Sequence, residues 1–113
     1  MTAPRRGDVW TIDLGGGRGS EQTGLRPVLV IQNDVGNHHS RTTIVAAITS
    51  TIKRFPFTVV LESGEAGLLK PSMVNLAQVF TVDKSRLRHR LGALSVKKMN
   101  QVDTAIRISL DVA

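Results

Sequence analysis

Apolar and polar positions alternate along residues 9–14, VWTIDL, so that Trp10, Ile12 and Leu14 share one face and Thr11 and Asp13 the other. A period of two marks a strand buried on one side, and β-branched and aromatic side chains suit such a pleated surface. Gly15, Gly16 and Gly17 break the pattern, and residues 18–24, RGSEQTG, have no periodicity. A polar surface loop of about ten residues is expected there, long for a hairpin and of the kind that serves function more often than packing. After Pro27 the run VLVIQ is continuously apolar, as a central strand would be, and Asn33, Asp34 and Gly36 end it with turn chemistry.

Residues 42–49, TTIVAAIT, repeat the β-branched pattern, and after the polar, basic STIKRFP a further strand is expected over residues 57–62, FTVVLE. Residues 73–82 alternate again, with Val74, Leu76, Gln78 and Phe80 on one side and Asn75, Ala77, Val79 and Thr81 on the other. On that alternation Phe80 belongs to the core. Beyond Asp83, KSRLRHRLGAL is too short and glycine-broken for a long helix and reads as one or two turns. Ser95 is placed to cap a C-terminal helix in which Val96, Met99, Val102, Ile106 and Leu110 recur at helical spacing. About five strands and one helix predict a mainly β, α+β fold: an antiparallel sheet or small barrel with the helix packed on it.

The 113 residues, without repeats, low-complexity tracts or an evident linker, fit one domain over 1–113. A 41% hydrophobic and 21% charged composition is enough to build a core. Fifteen Lys and Arg against nine Asp and Glu leave a net charge of +6, which favours RNA, DNA or an acidic protein as partner. There is no cysteine, so a disulfide framework, a thiolate metal site and a thiol nucleophile are all excluded. No apolar run approaches the roughly 20 residues of a membrane span, so a soluble, cytoplasmic protein is expected.

Catalytic motifs are scarce. His38 and His39 are adjacent and would face opposite ways in an extended chain, which suits a surface pair better than a metal site. His89 lies between Arg88 and Arg90, as in a solvated basic turn. GGGRG lacks the lysine of a phosphate-cradling loop, and neither H-E-x-x-H nor a carboxylate cluster is present. A mechanism without metal or other cofactor is therefore the one to seek.

Taken in order, GDVWTIDL, GSEQTGLRPVLVIQND, IVAAITS and VNLAQVFTVDKSRL resemble the MazF/PemK family of toxin endoribonucleases, from about Gly7 to the C-terminal helix. The resemblance implies a homodimer with an SH3-like barrel of the CcdB/PemK kind that cleaves single-stranded RNA at short sequences without a metal. It also implies inhibition by a cognate, acidic MazE-like antitoxin, and DNA binding in complex with it. Arg26 of the Arg-Pro pair and Thr49 at the end of the third strand match the family's catalytic residues. Ser20, Glu21 and Gln22 match its substrate-side loop, and Gln78 a glutamine beside the RNA groove. Lys53 and Arg54 are expected to guide RNA. Where many relatives have an acidic residue before that glutamine and a basic one two positions after it, this chain has Ala77 and Phe80; an aromatic there could stack on a base as in single-strand sites, against the core place its alternation gives it.

The residue chemistry suits this reading. RNA supplies its own nucleophile in the 2′-OH, so the protein need only orient the scissile phosphate and stabilise its charge. Arg26 has a forked donor for phosphoryl oxygens, and Thr49 a hydroxyl for a phosphoryl oxygen or the 2′-OH. More ordinary roles compete: a rim salt bridge to Glu21 or Asp34 for Arg26, plain strand formation for Thr49, and backbone pairing for Gln78. Two other functions fit the same chain, a non-enzymatic toxin that binds DNA gyrase and an RNA-binding module without turnover, since one fold carries many functions.

Overall fold

The computed structural model describes residues 3–13 and 24–113. Among these residues six strands form one sheet: β1 (Asp8–Asp13), β2 (Leu25–Val30), β3 (Thr42–Thr49), β4 (Thr58–Leu61), β5 (Ser72–Asp83) and β6 (Leu87–Ala93). Their order is β4-β5-β3-β2-β1-β6, with every neighbour antiparallel. Helix α1 (Asp34–His39) joins β2 to β3, and helix α2 (Val96–Leu110) ends the chain. The mainly β architecture with a C-terminal helix is the expected one.

Alternation along the strands divides the buried residues between two clusters. Val9, Leu29 and Ala46 lie side by side across β1, β2 and β3 and join Ile48, Val59, Leu61, Val74 and Leu76 in the larger cluster. Val102 and Ala105 of α2 complete that cluster, with Met99 and Ile106 at its edge. Their one-turn spacing gives the helix an apolar stripe against the sheet. The other cluster takes the intervening residues, Trp10, Ile12, Val28, Val30 and Val45, with Val82 and Leu87. Ser95 caps α2 as its position predicts, its hydroxyl accepting from the Lys98 N–H at 3.1 Å. Lys98 in turn donates to the Val60 carbonyl at 2.8 Å, tying the helix to β4. Val96 and Leu110, expected in the stripe, are exposed at the two ends of the helix, although Ser109 beside Leu110 still donates to the Leu76 carbonyl at 2.7 Å.

Three readings are corrected. Residues 84–93 are one short turn, Lys84–Arg86, followed by β6, which pairs with β1. Two register shifts in that pairing interrupt the alternation that would have marked a strand. The curl of the sheet sets β6 against the turn after β4: a Cβ added to Gly92 would sit 2.6 Å from the Ala66 carbonyl carbon. The turn chemistry at Asn33, Asp34 and Gly36 is the start of α1, with Asn33 as N-cap accepting from the Gly36 N–H at 2.8 Å. His38 and His39 are thus helical, exposed and in edge contact, 4.7 Å between ring centroids.

The third correction shapes the candidate site. In the β3–β5 ladder Ala46 faces Val79, but the next residue, Ala47, faces Asn75, so β5 carries three extra residues at this point. The Asn75 side chain holds the bulge by accepting from the Ala77 N–H at 2.9 Å, while the Leu76 N–H donates to the Phe57 carbonyl at 3.0 Å. A bulge resets strand phase. Val74 before it and Leu76 within it belong to the larger cluster, Val79 packs against the same cluster after it, and Phe80 is turned to the opposite face and exposed.

Candidate active site

Antiparallel pairing brings the first residues of β2 beside the last of β3. Val28 pairs with Ala47, so the register carried two residues further sets Arg26 opposite Thr49, on one face of the sheet. Arg26 itself pairs with Ile12 of β1 and Thr49 with Met73 of β5, so both stand on strands held from either side. Opposed side chains in such a pair start about 5 Å apart.

Two adjoining clefts meet at this pair. One, of about 440 Å³, is lined by Arg26, Thr49, Ser50, Thr51, Gln78 and Phe80 over a floor of Pro27, Val28, Ala47 and Ile48. The other, of about 600 Å³, shares Arg26 and Thr49 and continues past Leu25, Leu68, Leu69, Lys70 and Ser72. The structure thus brings Arg26, Thr49 and Gln78 together. Gln78 is there because the bulge in β5 exposes it.

The donors are available. The half-buried Arg26 guanidinium has no ion pair or hydrogen bond among the described residues, and Asp34, once a candidate partner, accepts instead from the Arg6 N–H at 2.7 Å and the Asn37 amide at 3.2 Å. Thr49 Oγ1 accepts the Thr51 N–H at 3.1 Å, which fixes the rotamer and leaves the hydroxyl proton to donate elsewhere. Among the described residues lining the two clefts there is no imidazole and no carboxylate. The site is therefore equipped to hold an anion with a guanidinium, hydroxyls and an amide.

Lys53 and Arg54 do not line either cleft; they are exposed on the segment leaving β3, just beyond Thr51. Thr58 shapes that segment, its hydroxyl bonding the Lys53 carbonyl at 2.9 Å. Ser20, Glu21 and Gln22 lie outside the described residues. Ser50, Thr51 and Lys70 are lining residues that sequence reasoning missed. Lys70 is exposed, and its ammonium has no partner among the described residues. Only the curl of the sheet brings residues 67–72 to the groove, so no local pattern could have marked them.

Residues 5–110 match the family described as PemK-like, MazF-like toxin of type II toxin-antitoxin system. The Endoribonuclease MazF of Staphylococcus saprophyticus is 51% identical over 108 residues, covering 94% of this chain and 90% of that protein. Among solved structures, an endoribonuclease in complex with its cognate antitoxin from a mycobacterial species superposes with a TM-score of 0.84 at 27% identity, covering 98% of each chain. A MazE-MazF structure from Deinococcus radiodurans gives 0.81 over the whole of both chains at 20% identity, a likeness of fold alone.

Proposed function

We infer the activity of this chain from the premise that it belongs to the PemK-like, MazF-like toxin family of type II toxin-antitoxin systems: it is an endoribonuclease toxin that cuts single-stranded RNA and is neutralised by an acidic antitoxin. The observation that carries the mechanism is the guanidinium of Arg26, without a partner among the described residues, opposite the rotamer-fixed hydroxyl of Thr49 in one groove.

The scissile phosphate is placed between these two groups. The RNA 2′-oxygen attacks the neighbouring phosphorus as the bond to the 5′-oxygen breaks, giving a 2′,3′-cyclic phosphate and a 5′-OH. Negative charge builds on the phosphoryl oxygens, and the guanidinium fork stabilises it in a groove partly shielded from water. A guanidinium is too poor a base to take the 2′-proton near neutrality, so proton transfer is assigned to water and Arg26 to electrostatics. The Thr49 hydroxyl donates to a phosphoryl oxygen and orients it for in-line displacement. Gln78 presents an amide to a base edge, and Lys53, Arg54 and Lys70 attract the flanking phosphates.

The protein works as a homodimer in this proposal, its site is in the cytoplasm, and the antitoxin inhibits by laying acidic chain along the same cationic groove. The test is cleavage of a long end-labelled single-stranded RNA in excess EDTA, wild type beside Arg26→Ala, with product ends identified. Discrete cuts by the wild type alone, leaving 5′-OH ends, are expected. RNA left intact by folded, antitoxin-free protein would turn attention to gyrase binding, and RNA bound without products to a binding module.

A further inference from the structure

We propose that Phe80 is a base-binding residue, the platform on which one unpaired nucleobase of the RNA stacks beside the linkage being cut. The inference rests on the endoribonuclease reading and adds the contact that holds the flanking nucleotide.

Three observations converge on this side chain. The bulge in β5 turns Phe80 out of the core onto the face that carries Arg26 and Thr49, where it lines the same groove as both and as Gln78, with 37% of its surface exposed. No other aromatic side chain covers it: Phe55 and Phe57 stack on each other at 5.2 Å, and Trp10 is buried with its indole N–H donated to Asp8. None of the chain's three phenylalanines enters either buried cluster, although Phe is ordinarily a core residue. Aromatic faces left open along a cationic groove are what single-stranded nucleic acids stack upon.

The spacing fits a neighbouring nucleotide. Phe80 pairs with Val45, four residues from Thr49 along β3, which places the ring ~13 Å from the phosphate position at ~3.3 Å per residue. That is too far for the scissile phosphate and within reach of a base one or two nucleotides away. Gln78, two residues earlier in β5, supplies edge hydrogen bonds, and the small Ala77 next to it leaves the approach open. Stacking accepts any base, so the nucleotide on Phe80 is held firmly but read weakly, and identity falls to its neighbours.

The experiment compares wild type, Phe80→Leu and Phe80→Tyr on a short single-stranded RNA containing the mapped cleavage sequence. A matching series carries an abasic residue at each flanking position in turn. Phe80→Leu should lower kcat/KM by about 5- to 150-fold, chiefly through KM, and Phe80→Tyr should stay near wild type. One abasic position should lower wild-type cleavage by a similar factor while leaving Phe80→Leu unaffected. Equal cleavage by Phe80→Leu, or wild-type-like sensitivity of that variant at every abasic position, overturns the inference and leaves the enzyme reading intact. The same holds if the variant merely dissociates a dimer that covers the ring. Wild-type protein that cuts no RNA overturns both. Should Phe80→Leu fold poorly, wild type is titrated with RNAs carrying 2-aminopurine at each position: quenching at one position supports stacking, and unchanged emission throughout overturns it.

Discussion

At the scale of single residues, the proposed mechanism gives Arg26 and Thr49 different work, and their substitutions separate it. Removing a donor aimed at developing charge typically lowers the rate ~100- to 1,000-fold, and that is the expected effect of Arg26→Ala on kcat. Arg26→Lys should recover only part of it, since a point charge replaces a two-pronged fork. Melting temperatures should barely move, because the guanidinium has no partner among the described residues to lose. For Thr49 the hydroxyl is the active part: Thr49→Ser should cut at near wild-type rate and Thr49→Val ~10-fold or more slowly, as measured by single-turnover cleavage. The family resemblance singled out both residues in the sequence, and their chemical types suit phosphate; that they stand opposite each other emerges only in the paired strands. Ser50, Thr51 and Lys70 were not legible there, since neighbourhood across the groove is a property of the assembled sheet. Asp34 gives a separate test away from the groove. The Arg6 N–H and the Asn37 amide beside it hold its carboxyl below the ordinary value of 3.8. A depressed carboxyl contributes stability above the unfolded value, and the contribution disappears as pH falls through the folded one. The melting difference between wild type and Asp34→Asn should therefore be full at pH 6 and shrink below about pH 3.8.

At the scale of elements, the site is made by an irregularity. A regular β5 would have buried Gln78 and Phe80 with Val74 and Leu76; the extra residues opposite Ala46 and Ala47 expose both. Asn75 stabilises that geometry through the Ala77 N–H. Asn75→Ala should cost about 0.5–1.5 kcal/mol in denaturant unfolding and also weaken RNA cleavage, although Asn75 itself does not line the groove. Gly92 marks the other close approach, where β6 meets Ala66, and Gly92→Ala should destabilise by ~1–3 kcal/mol because backbone atoms stand in the way of the new methyl. These two features also explain what the sequence concealed. Period-two alternation revealed β1, and a continuous apolar run revealed β2, although that strand begins at Leu25 and ends at Val30 where residues 28–32 were expected. Alternation misplaced Phe80, where a bulge reverses the phase, and missed β6, where two register shifts and a run of arginines hide a strand. Two of those arginines bind carboxylates across the sheet, Arg90 to Asp8 at 3.1 Å and Arg88 to Asp13 at 3.4 Å. A six-residue helix such as α1 is likewise too short for its period to emerge from the turn residues that cap it.

At the scale of the whole molecule, a net charge of +6 overstates what is concentrated on one face and says nothing of where it lies. Arg6, Arg88, Arg90 and Lys98 are engaged with Asp103, Asp13, Asp8 and Glu65, and Lys84 donates to the Asn37 carbonyl. Arg26 and Lys70 in the groove, with Lys53 and Arg54 beside its mouth, have no such ion pairs among the described residues. If these four neutralise RNA phosphates, counterion release from a single strand predicts that log K falls with log salt at a slope of about −0.7 per phosphate, or about −3 in total. Raising salt from 50 to 200 mM should then weaken binding ~50-fold. Replacing Lys53 and Arg54 together by alanine should halve the slope, whereas replacing the paired Arg88 should leave it nearly unchanged. Filter binding of the Arg26→Ala protein, which holds uncut RNA, would set a reference slope smaller by about 0.7. A slope that ignores Lys53 and Arg54 but responds to Arg88 would move the RNA path from the groove to β6, and with it the assignment of every residue that lines the groove.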